Sequence, residues 1–574
     1  MSGIGRLRED DPMERGRELL RGAVYILIGI LVFSLCLYPL SRVMEPALFE
    51  GGFGLDNILS VLREEQFTSV IEFTIFQAII STIVTLIFAL PGAYLLSRYR
   101  FPGKSVVLAL TTVPFVLPPI VMGIGFIAIF GYQGYLNEIM SGLSSSVGME
   151  WRPLELLYTK KIIILAHVFY NFPIALRILH SRMDTFDTRL IDASHSMGVG
   201  HIKTFFRVVL PQMKYSLISA ASLVFTFCFL SFGVILVVGG FSHPTLEVEI
   251  YRQFRRDLSM AGALLIIEFS VVIAATALYI WSSRRSRTGK FIARGEGFSS
   301  RVSKANKWVT YPAVFLYVLI IGVVVIAPLL AVLHGSFVRD FGGESEYTLH
   351  WFRELLSRER DAVLGSSPMG SVLNSLLFGL LTVIISLPMA MAVAYLMDSG
   401  GFRGKIGLDT FLLIPIGVST VSLGKGILMA YSSSLDLYNT WQVVVLVHVV
   451  IAYPFGARAI YTSRREIPGN LIKASESLGA GRLRTFLSVH LPLMLPGILV
   501  AAVFAFAISI GEFGATLIVS SPEYTTMPVA LYRMLNASRD IGSATAYGAV
   551  LILFTFLSFL GIEFMARKIG RSMF

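Results

Sequence analysis

The sequence has few charged side chains and almost no cysteine. Asp, Glu, Lys and Arg make up only 15% of its 574 residues, whereas a soluble domain carries roughly 25%, so a large soluble core is excluded. The two cysteines, Cys36 and Cys228, lie in different apolar stretches, which excludes a disulfide framework and a cysteine metal site. No cluster of His, Cys and carboxylate residues predicts a metal site, and no set of nucleophile and base predicts catalytic residues.

Long hydrophobic runs make up most of the sequence. Hydrophobic residues make up 55% of the chain, and its mean hydropathy is +0.71. A hydrocarbon layer of about 30 Å needs roughly 20 apolar residues per helix, and continuous rather than alternating runs favour helices over a barrel. The sequence therefore predicts an all-α polytopic membrane protein with twelve transmembrane helices. The predicted spans lie near 22–43, 70–97, 105–132, 161–180, 214–240, 259–282, 310–335, 370–397, 407–432, 441–462, 493–519 and 541–566.

The basic residues orient these spans. The net charge is +11, but Lys and Arg in short loops between apolar spans are typical of the cytoplasmic side of a membrane rather than of a nucleic-acid site. The segment 283–308 is strongly basic, whereas 44–72 is acidic. We therefore expect a multi-pass protein of the plasma or inner membrane, in contact with lipid and not with nucleic acid, and with both termini in the cytoplasm.

The chain contains an internal duplication. Matched positions lie 301 residues apart early in each copy, as in Tyr94 and Tyr395, and 281 residues apart later, as in His167 and His448. The 20-residue difference predicts an external loop insertion near 133–160.

We predict three parts of the chain from this duplication. A first six-helix repeat covers 1–282, a cytoplasmic linker covers 283–308, and a second six-helix repeat covers 309–574. Because six spans return a chain to the side where it began, the copies are expected to be parallel tandem repeats, an arrangement that commonly builds a central path.

One segment between spans occurs in both copies, at 182–213 and 463–494. Each predicts a short polar helix, a glycine turn and a second helix with an apolar stripe, which a proline ends. Long connections between spans tend to be functional or disordered, and two copies with the same spacing favour function. The candidate residues are Asp192, Ala193, Ser194, Gly198, Gly200, Phe205 and Pro211 in the first copy and Lys473, Ala474, Ser475, Gly479, Gly481, Phe486 and Pro492 in the second.

Both segments resemble the cytoplasmic coupling loop of binding-protein-dependent ABC importer permeases. That motif reads Glu-Ala-Ala, three residues, Gly and a later Leu-Pro. Here the leading Glu is Asp192 or Lys473, and the second Ala is Ser194 or Ser475. Lys473 reverses the charge of the leading residue, so the second copy lacks the acidic side chain that an acid-dependent contact would use.

The resemblance implies a permease subunit that forms the solute path. Its loops would dock on two copies of a separate ABC ATPase, whose closure would rock the halves and alternate access, and an extracytoplasmic solute-binding protein would deliver a small molecule or ion. The chain itself would bind no cofactor, with ATP held by the partner. Gly103-Lys104-Ser105 is no phosphate loop, because Arg98 stands where its first glycine would be.

The solute is suggested only by resemblance. Fused permeases of this kind resemble thiamine and ferric-iron importers, and the segment 239–251 is similar to the thiamine branch. The segment 511–516 instead resembles molybdate, tungstate and sulfate permeases. A secondary transporter is the alternative of another class, but it needs coupling-ion carboxylates near the midplane, and few are present.

Charged residues within spans are costly and therefore candidates for function. Lys425, Glu512 and Glu268 are such residues, whereas His167 and His448 are expected to form hydrogen bonds between helices. The candidate residues of the translocation path are Lys425, Glu512, Phe232, Gly233, Phe513 and Gly514.

Overall fold

The fold is given by a computed structural model. It describes residues 25–49, 53–99, 117–184, 186–187, 189–240, 243–288, 307–341, 344–398, 405–537 and 541–568, with residues 23, 101, 104, 107, 108 and 111. Much of the predicted linker 283–308 and part of the predicted span 105–132 lie outside these described residues.

The first half is helical wherever the structure describes regular structure in it. Its long helices are runs of Leu, Ile, Val and Phe, and the short helices join them. The helices are α1 (Tyr25–Phe49, with a π-turn at Phe33–Leu37), α2 (Asp56–Arg63), α3 (Glu65–Arg98), α4 (Pro119–Phe130), α5 (Tyr135–Ser146), α6 (Lys160–Asp184), α7 (Arg189–Ser196), α8 (His201–Thr204), a π-turn (Phe205–Val209), α9 (Leu210–Gln212), α10 (Lys214–Phe229), α11 (Gly233–Val238), α12 (Leu246–Gln253) and α13 (Leu258–Thr288).

The second half repeats this order and adds a hairpin. Strand β1 (Val338–Phe341) pairs antiparallel with β2 (Glu344–Tyr347). The helices are α14 (Lys307–Gly335), α15 (His350–Leu355), α16 (Pro368–Asp398), α17 (Lys405–Leu412), a 3₁₀ turn (Ile414–Gly417), α18 (Thr420–Tyr431), α19 (Trp441–Arg465), α20 (Gly469–Ser477), α21 (Arg482–Thr485), a π-turn (Phe486–His490), α22 (Leu491–Gly511), α23 (Gly514–Val519), α24 (Met527–Ala537) and α25 (Ile541–Lys568).

In the described part of the chain, ten helical segments are long and apolar enough to cross a membrane, if α4 and α5 count together as one (Pro119–Ser146) and α21, its π-turn and α22 as another (Leu483–Gly511). They correspond to ten of the twelve predicted spans. The span predicted at 214–240 is α10, which meets the preceding helix at a bend of 71°. The span predicted at 407–432 is divided among α17, the 3₁₀ turn and α18, because Pro415 has no amide hydrogen to continue a helix.

The duplication is visible in the helix bounds. Helix α18 begins and ends 301 residues after α4, and α19 begins and ends 281 residues after α6. The surplus of the first half, predicted as an external loop, includes a helix, α5. Two repeats of one helical unit are therefore joined in one chain.

The first helix of each half packs against the other half. Helix α1 packs on α18, and α14 packs on α4. Glycines permit these crossings: a Cβ added to Gly125 would lie 2.7 Å from the Pro328 carbonyl oxygen, and one added to Gly426 would collide with Pro39 in the same way. Because of this exchange, the main cluster of buried hydrophobic side chains includes residues of both halves.

Candidate functional site

The two duplicated segments fold into the same helix–turn–helix bracket. Helix α7 ends at a turn in which Gly198 has φ +77°, and α20 ends at a turn in which Gly479 has φ +77°. In the first turn, Gly198 N–H donates to His195 (2.9 Å) and Val199 N–H donates to Ser194 (3.1 Å). This pair of bonds is a Schellman cap, whose left-handed residue is usually glycine. The predicted glycine turn is therefore confirmed in both copies.

A contact between two hydroxyl groups braces each bracket. Ser194 Oγ lies 2.9 Å from Thr204 Oγ1, and Ser475 Oγ lies 3.0 Å from Thr485 Oγ1. These serines stand where the resembled motif has alanine. The sequence carried a signal for this contact, since the Ser–Thr spacing of ten occurs in both copies, but we did not predict it.

The apolar ridge of each bracket differs from the predicted stripe. Phe205 packs on Tyr94 with ring centroids 5.4 Å apart, and Phe486 packs on Tyr395 at 5.8 Å. These two predicted residues therefore anchor the brackets to α3 and α16. The exposed apolar side chains are instead Met197, Ile202 and Phe206 in the first bracket and Leu478, Leu483 and Leu487 in the second. Exposed apolar side chains grouped in this way are typical of an interaction surface.

In the first bracket the second helix ends at Gln212, one residue after Pro211 and at the bend of 71°, in agreement with the prediction, whereas in the second bracket the helix continues through Pro492, contrary to the prediction. Pro211 lies in α9 and Pro492 in the first turn of α22. A π-turn precedes each of them, at Phe205–Val209 and Phe486–His490. Its wider hydrogen-bond ring relieves the clash between a proline ring and the preceding turn.

The remaining predicted bracket residues lie on the surface. Asp192, Ala193 and Gly200 are exposed in the first copy, as are Lys473, Ala474 and Gly481 in the second. The two brackets therefore present the same shape but opposite charge at the leading position.

A cavity of about 310 Å³ lies between the halves. Five of the six predicted path residues line it: Phe232, Gly233, Glu512, Phe513 and Gly514. The sixth, Lys425, is not in its wall, and its ammonium group lies 5.8 Å from the centre of the Phe254 ring.

Four aromatic rings form a ladder beside this cavity. Phe232 stacks on Phe513 with centroids 5.8 Å apart and planes 21° apart. Tyr251 packs on Phe232 at 5.4 Å, and Tyr532 packs on Phe513 at 5.3 Å. Both pairs are related by the 281-residue repeat, so Phe232 and Phe513 meet where the two halves meet. The sequence identified the pairs as repeats but gave no sign that they touch.

Glu512 belongs to a buried polar network. Its carboxylate accepts hydrogen bonds from the backbone of Ala515 (3.0 Å) and Thr516 (2.8 Å) and from the Thr516 hydroxyl (2.6 Å). His448 joins Ser509 (2.7 Å) and Thr516 (2.8 Å). The prediction that His448 bonds between helices is therefore confirmed, and His167 does so with Ser81 at 3.3 Å.

A further carboxyl links the halves outside the long spans. Glu247, in α12, accepts a hydrogen bond of 2.8 Å from Ser419, which also caps α18. Burial raises the pKa of the Glu247 carboxyl to about 8, and the hydrogen bond from Ser419 opposes that rise.

Comparison with known proteins identifies a family and several relatives of this chain. The family described as binding-protein-dependent transport system inner membrane component matches residues 82–288 and 362–571. The thiamine transport system permease protein ThiP of Escherichia coli is 26% identical over 88% of this chain and 91% of its own length. The ferric transport system permease protein FbpB of Actinobacillus pleuropneumoniae is 24% identical over 94% of this chain and 77% of its own length.

A weaker likeness exists among solved structures. A bacterial ABC transporter involved in the import of the acidic polysaccharide alginate has 15% identity and a TM-score of 0.40, covering 48% of this chain and 98% of the other. A TM-score this low leaves the family match and the two permease relatives as the informative similarities.

Proposed function

Since the chain belongs to the binding-protein-dependent transport system inner membrane components, with the family pattern present twice, we propose that it forms the whole solute path of an ABC importer. It is the permease, a multi-pass inner-membrane component of transport rather than an enzyme, and it fuses two permease units. A secondary transporter has no use for this family's doubled bracket. The observation that carries the proposal is that both units keep the same bracket, with Gly198 and Gly479 at the same φ.

The proposed arrangement has twelve membrane spans in two parallel six-helix repeats. The repeats cover 1–282 and 309–574, joined by a cytoplasmic linker at 283–308, and both termini lie in the cytoplasm. The ten spanning helices, the bent α10 and the divided segment α17–α18 together support the number twelve. Matched helix bounds and the exchange of α1 and α14 support a pseudo-twofold axis between the halves.

The brackets are the proposed coupling loops. Each presents exposed apolar side chains, such as Met197 and Leu478, to one copy of a cytoplasmic ABC ATPase, so that two copies bind. ATP is held by those subunits, and this chain needs no cofactor of its own. Because Phe205 and Phe486 fasten the brackets to α3 and α16, a movement of the ATPase pulls on those helices.

The cavity and the aromatic ladder form the proposed path and its seal. Separating the halves would break the stack of Phe232 on Phe513 and open the cavity. An extracytoplasmic solute-binding protein supplies the solute, and the family's description of the transport system as binding-protein-dependent supports this part of the proposal. The names of the relatives favour thiamine or ferric iron as the solute.

Purification from the native membrane tests this proposal. We expect a tagged chain to copurify with a separate ATPase and, in proteoliposomes with binding protein outside, to take up solute only when ATP is enclosed. The chain alone should hydrolyse no ATP. Uptake driven by an ion gradient without any ATPase would overturn the proposal.

A further inference from the structure

We propose that the central cavity is itself a solute-binding site and that it selects a flat organic cation with hydrogen-bonding edges. This inference rests on the proposed function and narrows it, because only one of the two solutes named for the relatives fits that chemistry. Thiamine, with an aminopyrimidine ring and a permanently charged thiazolium ring, belongs to the class, whereas ferric iron does not.

Six aromatic rings line the cavity, together with aliphatic residues and a few polar ones. A volume of about 310 Å³ lies at the lower end of the range for small-molecule sites. The faces of aromatic rings attract cations and stack on flat rings. The rings in the wall are Tyr170, Phe227, Phe232, Phe455, Phe504 and Phe513.

The second half contributes a carboxylate to this wall. Glu512 accepts hydrogen bonds from two backbone N–H groups and a hydroxyl; these bonds favour the charged carboxylate, whereas burial favours the neutral acid, and a bound cation would favour the charged form. Among the described residues no Lys or Arg lies within 4.0 Å of it, and its nearest basic partner is His448 at 3.8 Å. The cavity wall therefore holds one carboxyl group that no Lys or Arg of the described residues contacts.

The first half contributes unused hydrogen-bonding capacity. His167 and Asn171 line the cavity and are 1% and 2% exposed. His167 Nε2 and Asn171 Oδ1 have no hydrogen-bond partner in the described structure. Both atoms are covered as the side chains stand, so a polar ligand in the cavity supplies the partner that buried groups normally have once these two side chains turn toward it.

Because the chain is duplicated, His167 in the first half can be compared with its counterpart in the second half. At the position matching His167, His448 uses both ring nitrogens, one of them on Thr516. Ile235 stands where the first half would need that threonine, so His167 keeps one nitrogen unpaired. The two sides of the cavity thus differ in chemistry: one has a satisfied network with a carboxylate, and the other has free polar atoms.

Ferric iron requires a different wall. A hard cation takes several oxygen ligands at once. In the described residues no group of three His, Cys, Asp or Glu side chains is placed to hold a metal ion, and Glu512 is the single carboxylate among the lining residues.

Equilibrium binding to the full chain in lipid nanodiscs tests the inference. The probes are radiolabelled thiamine, choline as an aliphatic cation, and ferric citrate. We expect one saturable thiamine site, at least tenfold weaker choline binding, and no saturable iron binding. Glu512→Gln and Asn171→Ala should each weaken thiamine binding at least tenfold.

Two variants serve as matched controls. Glu249→Gln and Asn137→Ala make the same chemical changes at buried residues outside the cavity wall, and they should leave thiamine affinity unchanged. Thermal unfolding of every variant checks that it is folded. Comparing the three probes on the unmodified chain tests the preference for a flat organic cation without any variant.

Several results would overturn the inference. They are saturable iron binding without thiamine binding, choline binding as tight as thiamine binding, and thiamine affinity unchanged by Glu512→Gln in a folded protein. Absence of all binding while ATP-dependent uptake by the complex persists would also reject the cavity site, yet it would leave the proposed importer intact. Loss of the ATP requirement, in contrast, would reject the importer itself.

Discussion

Ser194 Oγ lies 2.9 Å from Thr204 Oγ1, and this contact ties the two helices of the first bracket together across its glycine turn. The pair recurs in the second half as Ser475 and Thr485. A contact of this kind holds the two helices of a bracket at a fixed angle, which suits the coupling role proposed for it.

Removing this tie should weaken coupling without preventing folding. For Ser194→Ala combined with Ser475→Ala we expect a loss of about 1 kcal/mol of local stability per hydroxyl pair. ATP-driven uptake should fall several-fold, while the amount of protein in the membrane stays normal. Ser196→Ala is the control, because the hydrogen bond of Ser196 in the described structure goes to the Asp192 carbonyl of its own helix. Equal uptake by the double variant and the control would contradict this role.

Substitution of Gly198 or Gly479 should uncouple transport. Both have φ +77°, a conformation that costs an ordinary residue about 1–2 kcal/mol and suits a β-branched residue least. We expect Gly198→Val and Gly479→Val each to reduce uptake below about a tenth of normal, with unchanged membrane insertion. Asn tolerates the left-handed region, so Gly198→Asn should retain most of the uptake. Normal uptake by both Val variants would count against the turn.

The crossing of α14 over α4 should depend on Gly125. A Cβ there would lie 2.7 Å from the Pro328 carbonyl oxygen, and overpacking of this kind costs about 1–3 kcal/mol. We expect Gly125→Leu to lower the thermal unfolding temperature of the purified protein clearly. Gly142→Leu, where an added Cβ meets nothing within 4 Å, should not. Equal unfolding temperatures would show that the halves do not pack as described.

Glu247 should make stability depend on pH. Its pKa rises from 4.5 to about 8 on burial, so the folded chain holds a proton that the unfolded chain releases earlier. Stability should therefore be greatest below about pH 4.5 as far as this group is concerned, and it should fall by up to a few kcal/mol as pH rises to about 8. Unfolding temperatures measured across that range should slope downward, and Glu247→Gln should flatten the slope. An unchanged slope in the variant would remove Glu247 as the cause.

The sequence was sufficient where a pattern follows from local chemistry. Apolar runs located ten spanning helices, and the glycines of the repeated segment predicted turns that the structure confirms. The 281-residue repeat also marked Phe232 and Phe513 as equivalent positions. Whether equivalent residues touch depends on where the axis between the halves lies, and no local pattern contains that information.

Other features depended on packing against distant parts of the chain. The inward orientation of Phe205 is set by Tyr94, a residue of α3, and the π-turns before Pro211 and Pro492 change which side chains face outward. Lys425 lies outside the cavity wall, with its ammonium group near the ring of Phe254, a residue distant from it in sequence. In each case the helix was predicted, and its rotation about its own axis was not.

Crosslinking at the brackets tests the central claim most directly. Both native cysteines are buried, so Met197→Cys and Leu478→Cys introduce accessible thiols at exposed positions. In native membranes treated with a short thiol-to-amine crosslinker, both variants should join to one separate ATPase, with a yield that changes when ATP is added. If neither position joins to an ATPase while solute uptake continues, these brackets are not coupling loops.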